Sequence, residues 1–276
     1  MATNTVSTKK INNVKVCTIP REGEEDKRPI KGYEICCHLY GNIYLVAKKN
    51  SGKTTLIWNI INRCAGRDTV IIAFVSTIDN DPNWIMIRKK CEDKGLPFIA
   101  HNSLIDSEGN DQLDALIKGW QNGAEEDEPE TKSVSTLRCM PLHETKTETK
   151  TKRKTPYRAP EYIIILDDLA DELKKKSVAT LFKKNRHFKC KVIISSQWLN
   201  DIKPESLGQM SVVCMLQGFS VEKLEEFHSK MRLSIPVDEF VTLYKDATAD
   251  KFGFLYIDVD HGKYRKRFNE EYELIQ

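Results

Sequence analysis

The sequence predicts an α/β protein: a doubly wound, mostly parallel central sheet covered by helices, closed at its C-terminal end by a β-hairpin. Three observations predict it. Short apolar runs rich in β-branched residues alternate with longer amphipathic stretches between residues 42 and 230. The runs are apolar on both faces, as suits strands buried under helices on either side. The chain of 276 residues, 40% of them hydrophobic, can build a sizeable core, which excludes a disordered or fibrous polymer.

Residues 1–31 mix Thr, Lys, Asn and the charged run REGEEDKR, with little apolar periodicity, and read as a flexible arm. A single domain is expected over residues 32–276. Its strands are expected at NIYLVA (42–47), TVIIAFV (69–75), PFIAH (97–101), YIIIL (162–166), KVIIS (191–195) and SVVCML (211–216). Helices are expected at 53–64, 82–94, 111–120, 171–187 and 220–230. Residues 121–158 open with EEDEPE, close with KTETKTKRKT and hold few large apolar residues, so they are expected to form a disordered, exposed insertion. Near the C-terminus, KFGFLYIDVDHGKYRKRF alternates apolar and polar residues around Asp260-His261-Gly262, the pattern of a hairpin added to a sheet edge.

Charge does not announce a partner. Lys and Arg total 43 against 40 Asp and Glu, a formal net charge of +3, and the excess lies in the arm and the insertion. The eight cysteines form no CxxC pair, and no Cys/His cluster has zinc-ligand spacing, so reduced and mostly buried thiols are expected. There is no signal-peptide pattern and no apolar run near the roughly 18 residues that span a membrane. These features lead to an expectation of a soluble, intracellular protein.

Residues 47–54 read Ala47-Lys48-Lys49-Asn50-Ser51-Gly52-Lys53-Thr54, directly after an apolar strand and directly before the helical stretch that opens Thr54-Thr55. Strand, tight loop and helix N-terminus in that order gather backbone N–H groups and the helix dipole around a polyphosphate. Gly52 permits close approach of the backbone, Lys53 can reach the β- and γ-phosphates, and the Thr54 hydroxyl can serve Mg²⁺. This is the Walker A pattern with Ala47 in place of the usual first Gly. ATP with Mg²⁺ is the expected ligand.

The apolar strand 162–166 runs into Asp167-Asp168, the form of a Walker B segment. Asp167 is expected to hold the Mg²⁺ shell, and Asp168 to orient or deprotonate an attacking water. Asp167 follows Lys53 by 114 positions, with two further strand candidates between them. That spacing points to an extra strand between the two motifs and away from small nucleotide kinases and GTPases. The next strand ends in Ser195-Ser196-Gln197, which makes Gln197 a candidate γ-phosphate sensor; the alternative is a polar residue that caps the turn at Trp198. Trp58 and Trp84 could stack on adenine, but each sits on an apolar helical face and reads as core.

Taken in order, AKKNSGKT, YIIILDD, Asn185-Arg186-His187 and IISSQ resemble the FtsK-HerA superfamily, particularly the poxvirus-type genome-packaging ATPases of large DNA viruses, virophages and related transposons. The resemblance spans roughly residues 40–220. It implies a RecA-like P-loop NTPase core with strand order 5-1-4-3-2, a homo-oligomeric ring, and ATP-driven movement of double-stranded DNA into a capsid. It also implies a location in host cytoplasm, virus factory or virion, and possible contact with capsid proteins. By position, Lys53 and Thr54 would serve phosphates and metal, Asp167 the metal, Asp168 the water and Gln197 the γ-phosphate. Arg186 stands where the family carries an arginine that acts across a subunit boundary; a structural ion pair or a DNA contact are its alternatives. The family often has Glu as the second acid where this chain has Asp168.

Residues 174–191 hold eight Lys or Arg and no acid, and Lys263, Arg265, Lys266 and Arg267 form a second basic cluster on the hairpin. Both could meet the phosphate backbone without reading sequence, although Lys174–Lys176 read equally well as a solvated helix face. Two other functions fit the same motifs. One is a helicase or remodelling ATPase on the same core; the other is a nucleotide-binding structural protein in which Ala47 marks a non-hydrolysing site.

Overall fold

Side chains that alternate across each strand sort the core into two layers, one on either face of a single sheet. In this computed structural model, residues 26–123 and 155–274 are described. In chain order they form β1 (Asn42–Val46), α1 (Lys53–Cys64), β2 (Val70–Val75), α2 (Pro82–Asp93), β3 (Phe98–His101) and α3 (Gln112–Gly123). There follow β4 (Tyr162–Asp167), α4 (Lys176–Lys184), β5 (Cys190–Ser196), α5 (Pro204–Leu207), β6 (Val212–Leu216) and α6 (Val221–Met231). The chain ends in α7 (Val237–Ala247), β7 (Phe254–Asp258), β8 (Lys263–Lys266) and β9 (Glu270–Glu271).

The sheet order is β3-β2-β4-β5-β1-β6-β7-β8-β9. The first six strands run parallel and the last three add antiparallel. The expected order 5-1-4-3-2 is present as β6-β1-β5-β4-β2, but the half-buried FIAH segment pairs with β2 from Ile71↔Phe98 to Phe74↔His101 and extends the parallel edge by one strand. The hairpin forms as expected, with β7 against β6 and β8 against β7.

On one face, Ile43 and Leu45 of β1 and Ile163 and Ile165 of β4 pack with Ile57 and Ile61 of α1 and Trp84 of α2. On the other, Tyr44, Val46, Ile164 and Leu166 pack with Leu181 and Phe182 of α4, Phe227 of α6 and Phe240 of α7. α7 was not among the expected helices, although its buried residues Phe240, Val241, Tyr244 and Ala247 follow helical spacing.

The helix expected at 171–187 is broken. A 3₁₀ turn at Ala170–Lys174 is separated from α4 by Lys175, which is extended. Two anchors explain the break. Glu172 accepts from the Leu104 N–H at 2.6 Å and from Ser103 Oγ at 3.0 Å, while Ser177 Oγ donates to Asp111 Oδ2 at 2.7 Å. Each side of Lys175 is thus tied to its own part of the segment that joins β3 to α3.

Most of the expected arm and insertion, residues 1–25 and 124–154, lies outside the described residues. The described ends meet: Ile30 and Arg158 form a parallel bridge, and Arg28 Nη1 donates to the Thr155 carbonyl at 2.9 Å.

Candidate nucleotide site at the strand ends

β4, β5 and β1 are neighbours, so their C-terminal ends stand about 4.8 Å apart. Each end delivers one part of the site. From β1 the chain enters the loop at Ala47, which is buried and donates its N–H to the Ser196 carbonyl at 3.1 Å. Ser51, also buried, folds the loop back by donating its hydroxyl to the Lys48 carbonyl at 2.6 Å. Asn50 (φ 62) and Gly52 (φ 95) take left-handed conformations that complete the turn. A Cβ on Gly52 would stand 3.0 Å from Cδ1 of the exposed Phe252 ring, so the positive φ rather than space is what demands glycine here. α1 then begins at Lys53 with no acidic residue in its first turn, leaving its N-terminal dipole open to an anion.

At the end of β4, Asp167 is buried, 2% exposed, and both its oxygens are engaged. Lys53 Nζ lies 2.9 Å from Oδ1, Ser195 Oγ donates to the same oxygen, and Trp84 Nε1 donates to Oδ2 at 3.1 Å. Asp168 stands 3.6 Å from Lys53 Nζ and adopts φ 58. Asp enters this left-handed region more readily than Glu does, which gives a backbone reason for the shorter acid. At the end of β5, Gln197 Nε2 donates to Asp168 Oδ1 at 3.3 Å.

These groups surround an open cleft of about 510 Å³, within the size range of small-molecule sites. Lys48, Lys49, Asn50, Gly52, Lys53, Thr54, Thr55, Asp167, Asp168 and Gln197 line it. The hydroxyl of Thr54 and the two carboxylates form an all-oxygen donor set, which suits Mg²⁺. The fit extends to charge, because Lys53 now neutralises the same carboxylates that a cation would meet.

Sequence reasoning missed part of the lining. Thr77, Asn80, Asp81 and Asn83, between β2 and the first turn of α2, form one wall, and half-exposed Phe252 another. Asp81 was recognisable as an N-cap before Pro82, and its carboxylate does accept from the Asn83 N–H at 2.8 Å. Phe252 was read as part of the alternating hairpin stretch, whereas it lies in the turn before β7. Trp84 is core, as expected, yet its indole N–H also fixes Asp167. Trp58 lies outside the cleft under the ammonium groups of Lys90 and Lys94, 5.1 and 5.2 Å from its ring.

Arg186 is not brought to this cleft. It is exposed in the turn before β5, about 20 Å along that strand from Ser196. Its neighbour Asn185 is structural, donating to the Tyr40 carbonyl at 2.6 Å and to Asn42 Oδ1 at 3.1 Å.

The two basic clusters are also changed by their surroundings. Lys174 pairs with Asp171, Lys183 with Glu205 and Lys189 with Glu161, while Lys191 is fully buried and donates to the His38 carbonyl. On the hairpin, Lys263 and Arg265 pair with Glu271, and Lys266 and Arg267 with Asp250. Acids that flank each run in the sequence thus offset both clusters. Among the described residues, Lys175, Lys176, Lys184 and Arg186 of the first segment make no ion pair.

No family model matches this sequence, and no curated protein matches it. In three dimensions the chain is similar to the genome-packaging NTPase B204 of Sulfolobus turreted icosahedral virus 2. In complex with AMP that protein gives a TM-score of 0.50 at 15% identity, covering 83% of this chain and 97% of the other. In complex with sulfate it gives 0.50 at 15% identity, covering 87% and 98%. The DNA-packaging ATPase B204 of Sulfolobus turreted icosahedral virus gives 0.50 at 16% identity, covering 86% and 98%. The likeness establishes the fold, and it falls on the kind of protein that the sequence motifs resemble.

Proposed function

We propose that this chain is an ATPase that moves double-stranded DNA to package a viral or virus-like genome, working as a homo-oligomeric ring. The observation that carries the proposal is the convergence of Lys53, Asp167, Asp168 and Gln197, from three adjacent strand ends, on one cleft beside an open helix N-terminus. Lys53 exchanges its carboxylate partners for the β- and γ-phosphates of ATP. Thr54 and Asp167 would hold Mg²⁺, which would supply charge neutralisation at the phosphates. Asp168 faces the attacking water and accepts its proton, and Gln197, already on Asp168, couples that acid to the γ-phosphate. Phe252 offers its ring to the base, since it is the cleft's exposed aromatic. Lys176, Lys184 and Arg186 are the candidates for backbone contact with duplex DNA.

The test is ATP hydrolysis by an oligomeric preparation with and without duplex DNA. Stimulation is expected, and its absence overturns translocation. Strand separation in the same preparation would move the assignment to a helicase. Turnover no faster than that of Lys53→Ala, with tight ATP binding retained, would indicate a nucleotide-binding structural protein.

A further inference from the structure

At the opposite end of the sheet from the cleft, the segment before β1 and the β7–β8 turn bring a thiol, an imidazole and a carboxylate together. Cys37 Sγ lies 3.9 Å from His261 Nδ1, and His261 Nδ1 lies 2.9 and 3.0 Å from the two oxygens of Asp258. One ligand atom from each of the three residues lies within 4.8 Å of both others. A second imidazole stands alongside: the His38 ring stacks on that of His261 with centroids 6.3 Å apart, and His38 Nε2 is 2.8 Å from Asp260 Oδ2. No spacing rule finds this set, because Cys37 and His261 are 224 positions apart.

We propose that Cys37, Asp258 and His261 form a binding site for one Zn²⁺ ion, with a fourth position open toward His38. Tetrahedral zinc with a thiolate, an imidazole and a carboxylate has ligand–ligand edges of roughly 3.3–3.6 Å, and the separations here bracket that value. Thiolate with imidazole favours zinc over magnesium or calcium. The backbone on both sides is already fixed. Buried Lys191 donates to the His38 carbonyl at 2.6 Å, Tyr256 of β7 donates to the Ile35 carbonyl at 3.0 Å, and Asp258 accepts from the His261 N–H at 3.1 Å. On binding, the Cys37 S–H bond breaks, an S–Zn bond forms and the proton leaves to solvent, so apparent affinity rises with pH. The ion would pin the start of the domain to its C-terminal hairpin.

The test uses Co²⁺ as a spectroscopic stand-in for Zn²⁺ on the full chain after chelator treatment. One equivalent should produce a thiolate-to-cobalt charge-transfer band that Zn²⁺ displaces and that Cys37→Ser abolishes. The all-oxygen donors at the phosphate loop cannot give this band, so the two metal sites are distinguished. His261→Gln, a change in an exposed turn, should weaken Co²⁺ at least tenfold and covers the case in which Cys37→Ser fails to fold. No band, an equal band in Cys37→Ser, or unchanged affinity in His261→Gln overturns the site.

Discussion

Asp168 holds a left-handed backbone conformation and faces Lys53 and Gln197 with one carboxylate oxygen. Asn tolerates the same conformation, so Asp168→Asn removes the proton acceptor without straining the turn. ATP binding should stay within a few-fold of the parent, while turnover falls by about 10²–10⁴, the usual contribution of a general base. Binding titration and steady-state hydrolysis measure the two separately, and a parental rate would reassign the base. Trp84 makes a different prediction. Trp84→Phe keeps most of the buried ring but leaves Asp167 Oδ2 without its indole donor. That should cost about 1–3 kcal/mol in urea unfolding, and it should raise the Mg²⁺ needed for half-maximal hydrolysis because the carboxylate proposed to hold the metal loses its fixed orientation.

Strands were the most legible elements, because YIIIL is apolar throughout and KVIIS across its centre, and a sheet covered on both faces buries them so. The phosphate loop and the acid pair were legible for a related reason: their residue types sit directly at strand ends. What the sequence hid depends on tertiary contact. Glu172 and Ser177 break a helix by binding the segment between β3 and α3, and Phe252 reaches Gly52 from 200 positions away. Charge patterning misled most, since the acid-free run at 174–191 is offset by Asp171, Glu161 and Glu205, which flank it in the chain. The cations left on and beside α4 give a quantitative expectation. Lys176 and Lys184 lie about 12 Å apart along that helix, and replacing both with Gln should lower the slope of log affinity for duplex DNA against log salt by about 1.8. An unchanged slope would move the DNA contact to another surface. β3 carries a pH prediction. His101 stacks on Phe74 with ring centroids 4.9 Å apart, and burial holds its pKa below the ordinary 6.5. Its neutral form therefore stabilises the fold above that pH, and the contribution is lost as pH falls below 6.5 towards the lowered value. Urea midpoints at pH 7.5 and 5.5 should differ more for the parent than for His101→Gln.

At the scale of the molecule, Arg186 and the nucleotide cleft occupy opposite ends of the sheet, so any action of this arginine on a phosphate must cross to a second copy. Arg186→Ala should leave nucleotide affinity of dilute protein unchanged and lower hydrolysis in the assembled state. Mixing it with Lys53→Ala subunits should then recover activity above that of either variant alone, because each supplies what the other lacks. No recovery would confine Arg186 to DNA contact or to a structural role.

Asp167, Asp168 and Gln197 of the candidate site stand at the ends of β4 and β5, neighbouring strands of one hydrogen-bonded ladder, and the loop that carries Lys53 leaves from the end of β1 beside them. The spacing of the strand ends is set by peptide groups, which every sequence shares, while the reach of Lys53 depends on the turn at Asn50 and Gly52. The ladder beneath the candidate site is a ruler that side-chain substitution does not shorten. The side chains around it are free to differ, and identity with a protein of the same fold is only 16%.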